Sequence, residues 1–242
     1  MKMKNVLISL GTAACVTAAI GTGYTLFGGA SYVSPGNASN RAVQLTSNTS
    51  NASTADDFSG IDFGVPSGLT FADIQKLSTD YNFTHNSCGG GSPRFQINVV
   101  TPSNGTKNAF VYIGPPPSYT GCPQNVWTST GNLVAPASFV DTTQLGGTFY
   151  DTFANADTLY GAYPVTGIQL VADGSFFFAD LIQTVLVDNV IINNNTYTFE
   201  QSSAEDCKNG GYQNFTVAPG PFKNQGDCVS YFANVGNNPG GN

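Results

Sequence analysis

Residues 165–199, VTGIQLVADGSFFFADLIQTVLVDNVIINNNTYTF, constrain the fold more than any other stretch. Two runs rich in β-branched and aromatic residues, 165–172 and 183–192, are separated by a connection holding Asp173 and Gly174. A third run, 195–199, follows a cluster of Asn. Branched and aromatic side chains suit a pleated surface, while Gly, Asn and Asp suit turns. The order is strand, loop, strand, turn, strand, which predicts sheets packed on sheets.

The same grammar runs back along the chain. Phe95, Ile97 and Val99 alternate with polar residues, as in a half-buried strand. Further strands are expected at 59–65, 76–84 and 109–113, the last stopped by Pro115, Pro116 and Pro117, and within 125–134. Thr70 and Asp73 have capping-box spacing, which predicts one helical turn. Thr148 and Asp151 repeat it, and Phe149, Phe153, Ala156 and Tyr160 then fall on one face of a helix expected over 149–159. Seven or eight strands with turn signals at short intervals predict one antiparallel sandwich. Its core should include Phe95, Ile97, Ile168, Leu170, Val185 and Val187. Phe176, Phe177 and Phe178, on or near a strand, cannot all face that core, so one of them is expected at the surface.

The ends of the chain bear on compartment. Lys2 and Lys4 precede a long uncharged stretch, and Gly28, Gly29 and Ala30 supply small residues before Ser31. This order predicts an export signal over 1–30, cleaved after Ala30. The alternatives are an uncleaved N-terminal anchor in contact with the membrane, or lipidation at Cys15. Residues 31–57 are dominated by Ser, Asn, Thr and Ala and read as a flexible linker. Residues 58–200 form the expected sandwich, 201–235 a tail, and 236–242 a disordered end. Sequons occur at Asn37, Asn48, Asn51, Asn82, Asn104, Asn194 and Asn214, a number that an Asn- and Thr-rich chain also yields by chance.

Setting Cys15 aside, four cysteines remain, and an even number in an exported chain reads as disulfides. Of the three pairings, Cys88–Cys122 and Cys207–Cys228 are favoured because each brackets one local unit. Metal spacing is absent: no Cys-x-x-Cys occurs and His85 is the one His.

In the tail, Ser203 can cap a short helix with Glu205 and Asp206 in its first turn, and 224–232 forms a second segment. Here Cys207-Lys208-Asn209-Gly210-Gly211-Tyr212 and Phe222-Lys223-Asn224-Gln225-Gly226-Asp227-Cys228-Val229-Ser230 carry a resemblance. They are similar to the ending of a group of exported bacterial proteins of unknown function, in which Trp is commoner at the place of Tyr212. Residues 89–95 and 184–189 also resemble the body of such proteins. Separately, 184–190 looks like the closing strand of jelly-roll carbohydrate-binding modules, where an Asp-Asn pair precedes the last turn. These resemblances imply export and a jelly-roll-like β-sandwich, and no activity.

Chemistry has thin material. His85 lies near Ser87 and Cys88, but a catalytic arrangement needs a third, orienting group. The chain's Glu residues are Glu200 and Glu205, both at the junction with the tail, and glycoside hydrolysis needs two carboxylates flanking the bond. Asp173, Asp180 and Asp188 read as turn-forming or solvated. The resemblance to jelly-roll modules implies a structural Ca²⁺ at Asp188 as the sharper alternative, and no other cofactor is expected. Eight basic against fifteen acidic residues give a net charge of −7 without a basic patch, which disfavours nucleic acid as a partner. Aromatic residues are 12% of the chain, and sugar rings have apolar faces that stack on them. Trp127, Tyr119, Tyr112 and Tyr160, with Tyr163, are the candidate ligand-binding residues, and Trp127 and Tyr119 share the Pro-rich, Cys-anchored loop. The expectation is a secreted or cell-surface, non-catalytic binding or adhesion module for a glycan or cell-wall polymer. The alternatives are an envelope component docking a protein partner through its tail, and a glycoside hydrolase.

Overall fold

A computed structural model of the protein describes residues 23–103, 105–200, 203–216 and 219–235. The expected signal up to residue 22, Cys15, the sequon at Asn104 and the 236–242 end lie outside the described residues. In chain order the first strands are β1 (Tyr24–Gly28), β2 (Ser31–Val33), β3 (Ala42–Asn48), β4 (Ser59–Phe63), β5 (Leu77–His85), β6 (Arg94–Val100) and β7 (Thr106–Tyr112). Then come β8 (Thr128–Ser129), β9 (Phe139–Val140), β10 (Asp151–Thr152) and helix α1 (Phe153–Tyr160). The strands β11 (Val165–Ala172), β12 (Ile182–Ile192) and β13 (Asn195–Tyr197) follow, and helix α2 (Gln225–Val235) comes last.

Two antiparallel sheets form the sandwich. One has the order β1-β4-β11-β6-β7, and the other β2-β3-β12-β5-β8, with β13 also paired to β12. Strands β9 and β10 make a small separate ribbon. The register explains the core. Ile168 lies opposite Ile97, and Leu170 opposite Phe95, in the first sheet. In the second, Val185 lies between Leu45 and Phe83, and Val187 between Val43 and Tyr81. All six core residues expected from the sequence are fully buried, and both sheets feed one apolar cluster. Burying each such side chain contributes about 1.5–3 kcal/mol, so this cluster dominates the stability of the sandwich.

The expected linker is corrected. Residues 31–57 include β2 and β3, and β3 is an interior strand between β2 and β12. Ala42, Val43 and Leu45 are fully buried. Val43, Leu45 and Ser47 alternate inward, but Ser-, Asn- and Thr-rich flanks hide that short pattern in the composition. The sandwich also reaches ahead of Ala30: β1 pairs with β4, and the Tyr24 ring meets Tyr197 and Phe199 edge-on at 6.0 and 5.2 Å.

The helix boundary is corrected too. Helix α1 starts at Phe153, capped by the Thr152 hydroxyl, which accepts the Asn155 N–H at 3.2 Å. The Thr148/Asp151 box does not form, because Asp151 is buried in β10 and accepts from the Thr142 hydroxyl and the Asn155 amide. Phe153, Ala156 and Tyr160 face inward as expected, while Phe149 precedes the helix. At Thr70 the box does form: the Asp73 carboxylate accepts from the Thr70 backbone at 2.9 Å and its hydroxyl at 2.7 Å. Phe176 and Phe177 lie in a one-turn 3₁₀ helix rather than a strand, and are 63% and 53% exposed. They cover Gly89 and Gly90, where a Cβ atom would press on their rings.

Both disulfides pair as expected, with Cα–Cα distances of 5.5 Å for Cys88–Cys122 and 5.7 Å for Cys207–Cys228. The second closes a small unit made of the 3₁₀ turns Ala204–Cys207 and Gly211–Asn214 and helix α2. Its core is Cys207, Phe215 and Cys228, flanked by Tyr212, Phe222, Val229 and Phe232.

Candidate functional site

Strand β7 ends at Tyr112, and the proline run 115–117 turns the chain back. The Tyr119 N–H donates to the Pro115 carbonyl at 2.9 Å, closing that turn. Tyr119 has a φ of 53°, in the left-handed region where a bulky residue is rare. The neighbouring disulfide holds it there. The Cys122 N–H donates to Cys88 Sγ at 3.1 Å, and the Ser87 hydroxyl donates to the Cys122 carbonyl at 2.8 Å. Gly114 must be glycine, since a Cβ atom there would lie 2.7 Å from the Tyr119 carbonyl oxygen and 2.9 Å from Cys88 Sγ.

The residues between the Thr143–Leu145 turn and β10 bring in two more rings. Phe149 stacks on Tyr112 at 5.5 Å between centroids. Tyr150 lies nearly parallel to Tyr119, with centroids 6.2 Å apart and an interplanar angle of 18°. Tyr112 and Tyr119 are 4.7 Å apart, and Phe139 meets Tyr150 edge-on at 5.8 Å. The result is a cavity of about 160 Å³ lined by Tyr112, Gly114, Pro116, Tyr119, Leu133 and Phe139. Phe139, Phe149 and Tyr150 keep exposed faces around this cluster.

The polar groups are mostly committed. The Tyr112 hydroxyl donates to Asp141 Oδ2 at 2.8 Å, and Asp141 Oδ1 accepts the Thr143 N–H and hydroxyl at 2.9 and 2.6 Å. The Tyr150 hydroxyl donates to the Pro117 carbonyl at 2.7 Å. The Tyr119 hydroxyl is buried without a hydrogen-bond partner. Burial, with help from Tyr150 and Asp141, pushes its pKa up to about 12. Burial and the hydrogen bond to Asp141 push the Tyr112 phenol up as well. Both are neutral phenols at physiological pH.

The sequence candidates divide. Tyr112 and Tyr119 come together, but Tyr119 is 6% exposed and forms a wall rather than an open platform. Tyr160 is buried at the end of α1 with its ring 5.5 Å from Tyr163, and it does not join them. Trp127 is half-buried ahead of β8, which pairs with β5 in the other sheet. Trp127 and Tyr119 lie on one loop, the connection from β7 to β8, but that loop crosses from one sheet to the other and so carries Trp127 away from Tyr119. Phe139, Phe149 and Tyr150 were missed. Phe149-Tyr150 follows Gly146-Gly147, and two adjacent aromatics after a glycine pair were the available signal. A second cavity of about 410 Å³ lies against Ile74, Asn132, Val134, Pro136, Phe153 and Asp157, with one aromatic wall.

Asp188 lies in a network of donors. Its Oδ2 accepts the Asn37 N–H at 2.9 Å and the Ser39 hydroxyl, and its Oδ1 accepts the Asn189 N–H at 2.7 Å. Asp80, opposite it in β5, accepts from the Asn37 and Asn189 side-chain amides at 2.8 and 2.9 Å. Burial raises the Asp188 pKa despite these bonds. A Ca²⁺ ion takes about six to eight oxygen ligands. The N–H and O–H donors around Asp188 do not fit that role, and among the described residues no three His, Cys, Asp or Glu side chains gather for a metal. The arrangement instead pins residues 36–40 to the sandwich. His85 pairs with Asp180 at 2.7 Å on the exposed surface. The hydrogen bonds from His85 and Asn86 hold the Asp180 carboxyl below its ordinary value. Ser87 is engaged with Cys122, so these residues do not form a nucleophile and base.

No protein-family model matches the chain, and no curated protein is similar to it at a significant level. Among solved structures, that of an exo-beta-agarase is similar, with 14% sequence identity and a TM-score of 0.36. The match covers 76% of this chain and 24% of that chain, so this chain spans about a quarter of the agarase's length.

Proposed function

We propose that the protein is a non-catalytic binding module whose ligand is a neutral glycan, held at the aromatic cavity beside Tyr112, Tyr119 and Tyr150. The observation that carries this reading is that cavity itself: phenolic rings locked by a disulfide, a proline turn and mutual stacking. Sugar rings stack on such walls, and a rigid loop lowers the ordering cost of binding. The basic residues of the chain are few and scattered, which favours neutral over acidic sugars. A binding role rather than hydrolysis is supported by the state of the nearest carboxylates. Asp141 and Asp151 are both buried and taken up by donors. Two disulfides favour an oxidising compartment, in keeping with a secreted or cell-surface protein. Among the described residues no helix is long and apolar enough to cross a membrane.

The test is affinity electrophoresis of the protein through gels containing neutral β-glucan, galactan, mannan or xylan. Retardation by at least one polymer is expected. Phe139→Ala should weaken that binding by about 1–3 kcal/mol, the scale of a lost ring contact, without unfolding the protein, since Phe139 lines the cavity and is 38% exposed. Trp127→Ala should bind as the wild type does. If Trp127→Ala abolishes retardation and Phe139→Ala does not, the cavity is not the site.

A second reading rests on the C-terminal unit. Its own apolar cluster and the 43% exposed Tyr231 suit a protein partner, as in an envelope component docked through its tail.

A further inference from the structure

Gly28, Gly29 and Ala30 look in the sequence like the small residues of a cleavage site, and the fold gives them another use. Gly28 has a φ of 60°, in the left-handed region, and a Cβ atom there would press into the Phe58 carbonyl oxygen. The Gly29 N–H donates to that same oxygen at 3.1 Å, and a Cβ atom at Gly29 would lie 3.1 Å from the Asp56 Cβ. Ala30 packs against the sandwich core. These three residues make the turn that carries the chain from β1, at the edge of one sheet, to β2, at the edge of the other.

Strand β1 matters for what it covers. All five of its residues pair with β4, from Tyr24 opposite Phe63 to Gly28 opposite Ser59. Tyr24 and Leu26 pack on the core, and the Phe27 ring lies over Gly60, where a Cβ atom would meet it. The Tyr32 hydroxyl of β2 donates to the Tyr24 hydroxyl at 3.2 Å. Without the residues up to 30, β4 becomes an edge strand. Four of its five residues are buried, and an exposed apolar edge pairs with other chains.

We infer that β1 belongs to the mature protein, and that the processing site for export lies ahead of Tyr24 rather than after Ala30. The sequence has a place for such a cut. An export signal carries an apolar region of about 7–15 residues, followed by small residues. Residues 6–16 fit that length, whereas residues 6–27 exceed it. Thr17 and Ala19, or Gly21 and Gly23, then supply small side chains at the spacing of a cleavage site. The small residues at 28–30 are a turn of the sandwich, and the site for the peptidase lies closer to Lys2 and Lys4.

The experiment exports the full chain from a bacterial host and reads the N-terminus of the exported protein by intact mass and terminal sequencing. It is expected at Tyr24 or ahead of it. An N-terminus at Ser31, or at any residue after Tyr24, overturns the inference. Gly28→Ala in the same full chain separates the two roles of Gly28. Alanine serves a cleavage site as well as glycine does, and a residue that is cut away leaves no mark on the mature protein. In a retained turn the alanine is strained. The melting temperature of exported Gly28→Ala should therefore fall by about 4 °C or more from that of the wild type. An unchanged melting temperature overturns the inference. A chain begun at Ser31 is then compared with one begun at Gly23. The Gly23 chain should melt with the exported protein, and the Ser31 chain should melt about 10 °C or more below it or collect as aggregate. Equal melting temperatures would show β1 to be dispensable, and that too overturns the inference.

Discussion

The sandwich draws Phe63, Phe83, Phe95 and Ile168 into one core from two sheets, whereas the unit at residues 203–235 fully buries Cys207, Phe215 and Cys228. In the tail, Phe215 lies 5.2 Å from Phe222 and 5.3 Å from Phe232, and little else is available to pack. Small units cannot bury enough surface to offset chain entropy, so they depend on a covalent closure. The two disulfides therefore do different work. Cys207–Cys228 ties together a unit with hardly any core. Cys88–Cys122 is part of a core that many other side chains fill, and it also fixes the loop that carries Tyr119. A disulfide of the same chemistry thus closes a unit with little core in one region and fixes an aromatic loop in the other.

The largest expected effect breaks the sandwich and spares the tail. Phe95→Ala empties a fully buried site opposite Leu170 and should cost about 3–5 kcal/mol in denaturant unfolding. Hydrogen exchange at residues 203–235 should be unchanged by it. Loss of protection there would mean that the two regions unfold as one.

The converse variant carries Cys207→Ser and Cys228→Ser. Opening a closure of 21 residues removes about 3 kcal/mol by loop entropy. Exchange across the tail should become fast, while the melting temperature of the sandwich stays within about 2 °C, since its core is untouched. A large drop in that melting temperature would show the tail to be part of the sandwich's own stability.

The smallest expected effect is at the junction. Asp188 pins residues 36–40, the Asn40 N–H donates to Glu200 at 2.9 Å, and the Arg41 guanidinium lies 3.8 Å from Asp206 of the tail. Burial raises the Asp188 pKa, so the folded protein holds a proton at this group more readily than the unfolded chain does. Its charged form is a burden at neutral pH. The burden lifts as the pH falls through the folded value, and the gain is complete below the unfolded value of about 3.9. Relative to Asp188→Asn, the wild-type sandwich should therefore gain stability as the pH is lowered from neutrality, measured by denaturant unfolding at several pH values. A relative loss would contradict the assignment.

Legibility followed the range of the interactions. The strand at Val165–Ala172 appears in the structure with the bounds read from its residues, and the alternation at Phe95, Ile97 and Val99 identified the inward face of β6. Pattern is written into the chain wherever one face of a strand is buried. Interior strand β3 was missed because its seven residues lie between Ser- and Asn-rich flanks, and a composition window averages them away. The start of α1 was misplaced because Asp151 could serve as a cap in sequence, yet a ribbon pairing and the Thr142 hydroxyl claimed it first.

The candidate site shows the same division. The sequence by itself determined the main strands after residue 58, their inward faces, the local disulfides and the scarcity of basic charge, because each depends on residues close in the chain or on composition alone. Only the tertiary structure decided which aromatics meet. Tyr112, Tyr119, Phe139 and Tyr150 come from four separate segments, and Trp127, eight residues from Tyr119, goes with the other sheet. Ring stacking and the burial of a hydroxyl are contacts between distant segments, and nothing in the local sequence encodes which segments the fold will bring together.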